Sequence, residues 1–381
     1  MRHRHRWLIV FLAVTLLCLP ACAERILIEK CDNGYLESIN GHLVLHVSGT
    51  PEEMGHQQGV LLGQMLEKMY EKITDFAEGE GVPMVLLETQ LDAIVQRQQA
   101  YVSDAYKEEM AALAAASPLS LEQVQRMNFL PELFHCSGFA LFGEATADGS
   151  MLHGRVLDYN VTAGLQDYAL IRLIEPQGRI PWVDVGYAGM IGSVTGMNAE
   201  KITIGEMGGG GAGQWDGTPM TFLMREALET ATTMQEALSV FEDSPRTCEY
   251  YYVISDAKIP DARALATTPE VFDVLGPNET YKEIDTPIPD AVLLSAGDRY
   301  DLLAQRVQEI HGAIDAEAAI ELMRRPVAMS SNLHDALFAP DTGDFWVANA
   351  TADGQPASEQ PYTKYNFNEL LEQSPPEAEE N

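Results

Sequence analysis

Cysteine is scarce in this chain, five among 381 residues, and no pair of them forms a Cys-x-x-Cys motif. His-Glu-x-x-His and calcium-loop patterns are also missing, so the sequence implies no metal and no cofactor. Cations are few: 24 Lys and Arg stand against 57 Asp and Glu, for a net charge of -33. A surface that acidic repels nucleic acid and anionic membranes. No internal repeat occurs, and the run GEMGGGGAG from Gly205 lacks the Gly-Lys-Ser/Thr ending of a phosphate loop. It reads instead as a long connection or the wall of a pocket.

What is present begins with an export pattern in residues 1–23. Arg2, Arg4 and Arg6 precede an apolar stretch from Trp7 to Leu17, and small residues follow. Leu19-Pro20-Ala21-Cys22 ends like a bacterial lipobox with a lipidated Cys22, whereas Ala21-Cys22-Ala23 fits an ordinary signal peptidase. Both readings place the protein in the periplasm or outside the cell, and the first adds a membrane anchor at Cys22. Three cysteines then remain, Cys31, Cys136 and Cys248. An oxidising compartment permits one bridge among them; Cys31 with Cys248 is the expected pairing, and Cys136 is the thiol left over.

Along the chain the hydrophobic period changes once. His42–Val47 alternates as a strand, Thr50 and Glu53 form a capping box around Pro51, and helical spacing follows with Gly55 and Gly59 on one face. Helical patterning continues from Val82 to about Phe134, with Ser117 and Ser120 as candidate caps, so residues 24–135 are predicted to be mostly helix. From Cys136 the period becomes two. SGFALFG and MLHGRVLDY, joined through Asp148-Gly149, read as a β-hairpin, and strands follow at YALIRLIEP, IPWVDVGYAG, SVTGMN and KITIGEM. Helices are expected at about 219–231 and 232–242, then further strands, a helix near Ala316–Arg325 and a final strand pair. The acidic, proline-containing tail at 371–381 is expected to be disordered. This order predicts an α+β layered fold, with the core at 136–370.

A single cysteine is usually a small buried hydrophobe. Cys136, however, opens the hairpin whose return strand carries Arg155 and Asp158. A nearby cation favours a thiolate, and a carboxylate can hold an amine or orient a proton carrier. The alternative is a solvated ion pair at a strand end. For His153 a hydrogen-bonded structural role is expected, and for Asn198 a tight turn.

Together, Cys136-Ser137, Phe139-Ala140, Asp148-Gly149, Gly154-Arg155-Val156-Leu157-Asp158 and Tyr159 resemble the start of the mature chain in the cysteine N-terminal-nucleophile hydrolases, in the branch of isopenicillin N acyltransferase, with bile-salt hydrolases and penicillin V acylases as distant relatives. Further blocks agree in order: GTPEEMGHQQG, GMN, YYVISDA and NLHDALFAPDTGDFWVANA. The resemblance implies a four-layer α/β/β/α sandwich and a reaction on the amide bond of a small N-acyl or peptide-like substrate. It implies autocleavage between His135 and Cys136, after which Cys136 supplies both thiol and α-amine, Arg155 orients the nucleophile and Asp158 holds the amine. Arg299 matches a distal active-site arginine or is an ordinary helix-surface residue. Where the bile-salt-hydrolase relatives place an oxyanion asparagine or tyrosine after GMN, this chain has Glu206-Met207-Gly208-Gly209, and Leu294-Ser295-Ala296 stands in place of a later Thr-Asn. Backbone N–H groups of Gly208 and Gly209, with Asn198, are the candidates to replace them. The competing reading is a catalytically inactive relative that uses the glycine-loop pocket to bind.

Overall fold

Residues 24–129, 136–282 and 284–377 are described by a computed structural model. Its first two elements escaped the alternation rule. β1 (Arg25–Cys31) and β2 (Gly34–Ile39) pair across Asp32-Asn33, with Asp32 in the left-handed region at φ 53°. β1 is an edge strand with Glu29 and Lys30 exposed, so no apolar face marks it. β3 (His42–Gly49) and α1 (Pro51–Gly79) follow the predicted pattern, including the Thr50–Glu53 capping box. Three further helices complete this half: α2 (Met84–Gln98), α3 (Asp104–Ala115) and α4 (Leu121–Asn128). Ser120 caps α4 as expected, Ser103 caps α3, and Ser117, in the turn between them, caps neither. A Cβ on Gly55 would stand 2.2 Å from the Glu109 carbonyl oxygen, and one on Gly59 2.6 Å from that of Leu113. Glycine is what lets α1 lie directly on α3.

Beyond Cys136 come β4 (Ser137–Leu141) and β5 (Leu152–Asp158), the expected hairpin, joined by a longer connection than a tight turn. Then follow β6 (Ala169–Pro176), β7 (Trp182–Tyr187), β8 (Thr195–Asn198), β9 (Ile202–Gly208), α5 (Met220–Thr230) and α6 (Met234–Asp243). The chain continues through β10 (Tyr250–Asp256), β11 (Asp261–Thr267), β12 (Phe272–Leu275), β13 (Ala291–Leu294), α7 (Asp298–Glu309) and α8 (Ala316–Met323). It closes with β14 (Asn332–Ala339), β15 (Asp344–Asn349), β16 (Thr363–Asn366) and α9 (Phe367–Glu372). Ten strands form one sheet in the order β1-β2-β3-β6-β7-β8-β9-β10-β11-β12, and six form another in the order β13-β4-β5-β14-β15-β16.

The core explains the layering. Val44, Ile171 and Val183 of the larger sheet meet Phe338, Phe345 and Val347 of the smaller one. Leu303 and Val307 of α7, with Leu322 and Met323 of α8, cover the outer face of the smaller sheet against Leu152 and Val156. Leu66 of α1, Met110 of α3, Leu228 of α5 and Phe241 of α6 belong to the core on the larger sheet. The four-layer α/β/β/α sandwich is borne out.

The half before Cys136 is built into this sandwich. β3 pairs in parallel with β6, and Glu109 of α3 accepts a hydrogen bond from Arg225 of α5 at 2.6 Å. Cys31 and Cys248 do not pair; both are thiols. Cys31 ends β1 and Cys248 precedes β10, with six strands between those two in the sheet, roughly 34 Å at the usual strand spacing. A disulfide needs Cα atoms within about 7 Å.

Candidate active site

The strand period puts alternate residues of the hairpin on opposite faces. Gly138 pairs with Arg155, and both face the larger sheet. A Cβ on Gly138 would lie 3.1 Å from Met207 Sδ, and one on Gly205, opposite, 2.8 Å from Arg155 Cγ. Cys136, two residues before Gly138, shares that face and is 2 % exposed. It therefore sits diagonally across the strands from Arg155. On the other face the Phe139 ring occupies the space a Gly154 side chain would need, 2.3 Å from its ideal Cβ. The glycine of Gly-Arg-x-x-Asp is thus a packing requirement.

Arg155 is fully buried. Its Nε donates to the Glu206 carbonyl oxygen at 3.0 Å and its Nη2 to Glu206 Oε2 at 3.3 Å. A buried cation without such a partner would cost several kcal/mol (about 3–5). Glu206 was not a sequence candidate for this role. An acid inside the apolar strand KITIGEM was the signal that could have found it.

Asp158 points to the helical face. Its Oδ1 accepts the Met329 N–H at 2.8 Å, and its Oδ2 accepts from Arg299 Nη1. Arg299, in the first turn of α7, also donates to the Val327 carbonyl at 3.2 Å and the Cys136 carbonyl at 3.5 Å. One guanidinium thus spans the carboxylate and the residue that bears the thiol. Burial raises the Asp158 carboxyl to about 6, outweighing the Met329 amide and Arg299. Asp335, on β14 next to β5, is a further buried acid that sequence reasoning passed over. It accepts from Asn332 Nδ2 at 2.8 Å and from the Tyr362 hydroxyl at 2.6 Å, and burial pushes it up to about 7.

Cys136 lines a cleft of about 380 Å³ together with Met207, Gly208, Glu249, Tyr251 and Lys282, and with the Leu294-Ser295-Ala296 segment. Ser137 and Ser295 hydroxyls are 2.7 Å apart and join the hairpin to this wall. Gly208 is therefore placed as expected for a pocket residue. Gly209 is not, because its N–H donates to the Glu249 carbonyl at 3.0 Å and is spent in the β9–β10 pairing. Asn198 is also displaced from the site. Its Nδ2 donates to the carbonyls of Leu228 and Ala231, and its Oδ1 accepts the N–H groups of Glu200 and Ile202. It holds the β8–β9 turn to the end of α5, about 20 Å of strand from Gly208 at the usual rise. His153 bonds Ser255 at 2.8 Å, and burial pushes it down to about 3, which suits a structural residue. His135, Cys22 and the export pattern lie outside the described residues.

Residues 147–267 match the family model described as acyl-coenzyme A:6-aminopenicillanic acid acyl-transferase. Protein dcd1B of Dictyostelium discoideum is 22% identical, over 93% of this chain and 80% of its own length. N-acylethanolamine-hydrolyzing acid amidase of Rattus norvegicus is 23% identical, over 46% of this chain and 50% of its own. The solved structure of the Caenorhabditis elegans ortholog of that amidase aligns with a TM-score of 0.45 at 18% identity, covering 54% of this chain and 93% of that one. The resemblance to the isopenicillin N acyltransferase branch is borne out. The matched segment contains Arg155, Asp158 and Glu206 and begins after Cys136.

Proposed function

We propose that this chain is a cysteine amidohydrolase or acyltransferase that acts on the C–N bond of an N-acyl or peptide-like substrate through a thioester on Cys136. The observation that carries this reading is the Arg299 guanidinium, which binds both the Asp158 carboxylate and the carbonyl of Cys136, the cysteine that lines the cleft. The names of the matched family and of the amidase relatives support the reaction class.

Activation would proceed by attack of the Cys136 thiol on the carbonyl of residue 135. The peptide C–N bond breaks as the C–S bond forms, and water then cleaves the thioester, leaving a carboxylate on residue 135 and a free amine on Cys136. An α-amine titrates at about 7.7–8.0, so near neutral pH it can take the thiol proton as general base. The thiolate attacks the substrate carbonyl while Arg155, buried beside it, offsets the negative charge. The Gly208 N–H and the Ser295 hydroxyl are the donors at the cleft wall suited to the tetrahedral oxyanion. The amine leaves with the transferred proton, and water or a second amine takes the acyl group.

Intact-mass analysis of the wild type beside Cys136→Ala tests this. The expected result is a chain beginning at Cys136 in the wild type alone, with both fragments eluting together until denaturant is added. An unprocessed wild type whose Cys136 resists thiol probes would instead support the inactive, ligand-binding alternative.

A further inference from the structure

Away from the cleft, Cys31 at the end of β1, Asp32 in the turn that follows and His56 in the second turn of α1 bring one ligand atom each within 4.8 Å of one another. Cys31 and His56 lie 25 positions apart in no recognised metal motif; the grouping arises because the β1–β2 turn folds over the start of α1. Cys31 is half-buried, and Asp32 and His56 are exposed. The Cys31 thiol already reaches Asp32 Oδ2 at 3.8 Å.

We propose that Cys31, Asp32 and His56 form a site for a divalent zinc-type cation that pins the first hairpin to α1. A thiolate, an imidazole and a carboxylate are the donors such a cation prefers, and the sulfur disfavours calcium and magnesium. Around one zinc ion, bonds of about 2.0–2.3 Å set tetrahedral ligand atoms roughly 3.3–3.6 Å apart. The three side chains must close by about 1 Å, which exposed rotamers of Asp32 and His56 permit. Water would take the fourth vertex. Binding displaces the Cys31 proton to solvent, so affinity rises with pH.

The test is titration of the full chain with cobalt(II), read by the thiolate-to-metal absorption and the visible bands of a four-coordinate ion, with zinc competing it away. Wild type and Cys136→Ala should both show the signal. Cys31→Ser should lose it, and His56→Ala should weaken binding by more than the roughly 10–100-fold that outer partners alone are worth. Circular dichroism of the metal-free variants confirms that each is folded. No thiolate band in the wild type, a band that survives Cys31→Ser, or unchanged affinity in His56→Ala would each overturn the proposal.

Discussion

Two arginines, one on each side of the larger sheet, are fully buried and each meets carboxylate, yet they are held differently. Arg225 donates to Glu229 at 2.7 Å, to the Ile191 carbonyl at 2.8 Å and to Glu109 at 2.6 Å, with its guanidinium 4.5 Å from the centre of the Tyr106 ring. Arg155 meets Glu206 at 3.0 Å through the backbone and 3.3 Å through the carboxylate. Short bonds to two acids make Arg225 a clamp. It joins α5 to α3, which lie on opposite sides of Cys136 in the chain. Arg155 bonds Glu206 at longer range and stands diagonal to Cys136, where, in the proposed mechanism, its charge acts on a thiolate. Burial makes both necessary; the surroundings divide their roles.

The largest effect should come from Arg225→Met. Removing the cation leaves Glu109 and Glu229 buried without it, a loss of about 3–5 kcal/mol. Urea denaturation should show it. Cys136 labelling per folded molecule should not change; if stability is unaffected, the clamp is no clamp.

On the other side, Asp335 tests the electrostatics around Arg155, whose charge lowers the Asp335 carboxyl while burial and Asp158 raise it. Its folded value of about 7 lies above the ordinary 3.8, so the folded state keeps a proton that the unfolded chain releases. The resulting stability is complete below about pH 4 and is lost as pH rises through 7. Asp335→Asn removes that titration and should gain on the wild type between pH 4 and 7.5 by on the order of 4 kcal/mol. Denaturation at several pH values reads the gap, and a gap that does not widen with pH would contradict the assignment.

Arg155→Lys should next lower kcat/KM by about 10–100-fold while costing less stability than Arg225→Met. A lysine keeps the charge but cannot reach the Glu206 carbonyl and carboxylate in a fork. Equal losses of stability in the two variants would erase the contrast.

The layered fold was legible because period-two strands and capped helices leave local marks, and Gly55 and Gly59 even reported which helix face is crowded. β1 and β2 were not, since an edge hairpin with charges on both faces has no clean alternation. The hairpin register that sets Arg155 beside Cys136 follows from strand geometry. The Arg299–Asp158 contact spans 141 residues of sequence, and no local pattern encodes a meeting between α7 and β5. Glu206 and Asp335 could have been suspected as acids inside apolar strands, but their partners come from other elements. The turn expected at Asn198 is there, and its hydrogen bonds leave no part of it for an oxyanion.

A third arginine separates geometry from burial. Arg97 of α2 grips Asp216 with two bonds, at 2.8 and 2.7 Å, and also donates to the Gly213 carbonyl at 3.0 Å. These contacts are shorter than that between Arg155 and the Glu206 carboxylate, yet Arg97 and Asp216 are exposed to solvent. Water and salt screen such a pair, and it contributes little to global stability. Arg97→Ala should therefore give the smallest change of all in melting temperature, smaller still at high salt. Its effect should be local: with the tether from α2 gone, the glycine loop between β9 and α5 should be cut faster by a protease under native conditions. Unchanged cleavage would mean that the loop is held by its own backbone bonds, while a large fall in melting temperature would show that geometry, rather than burial, ranks these three arginines.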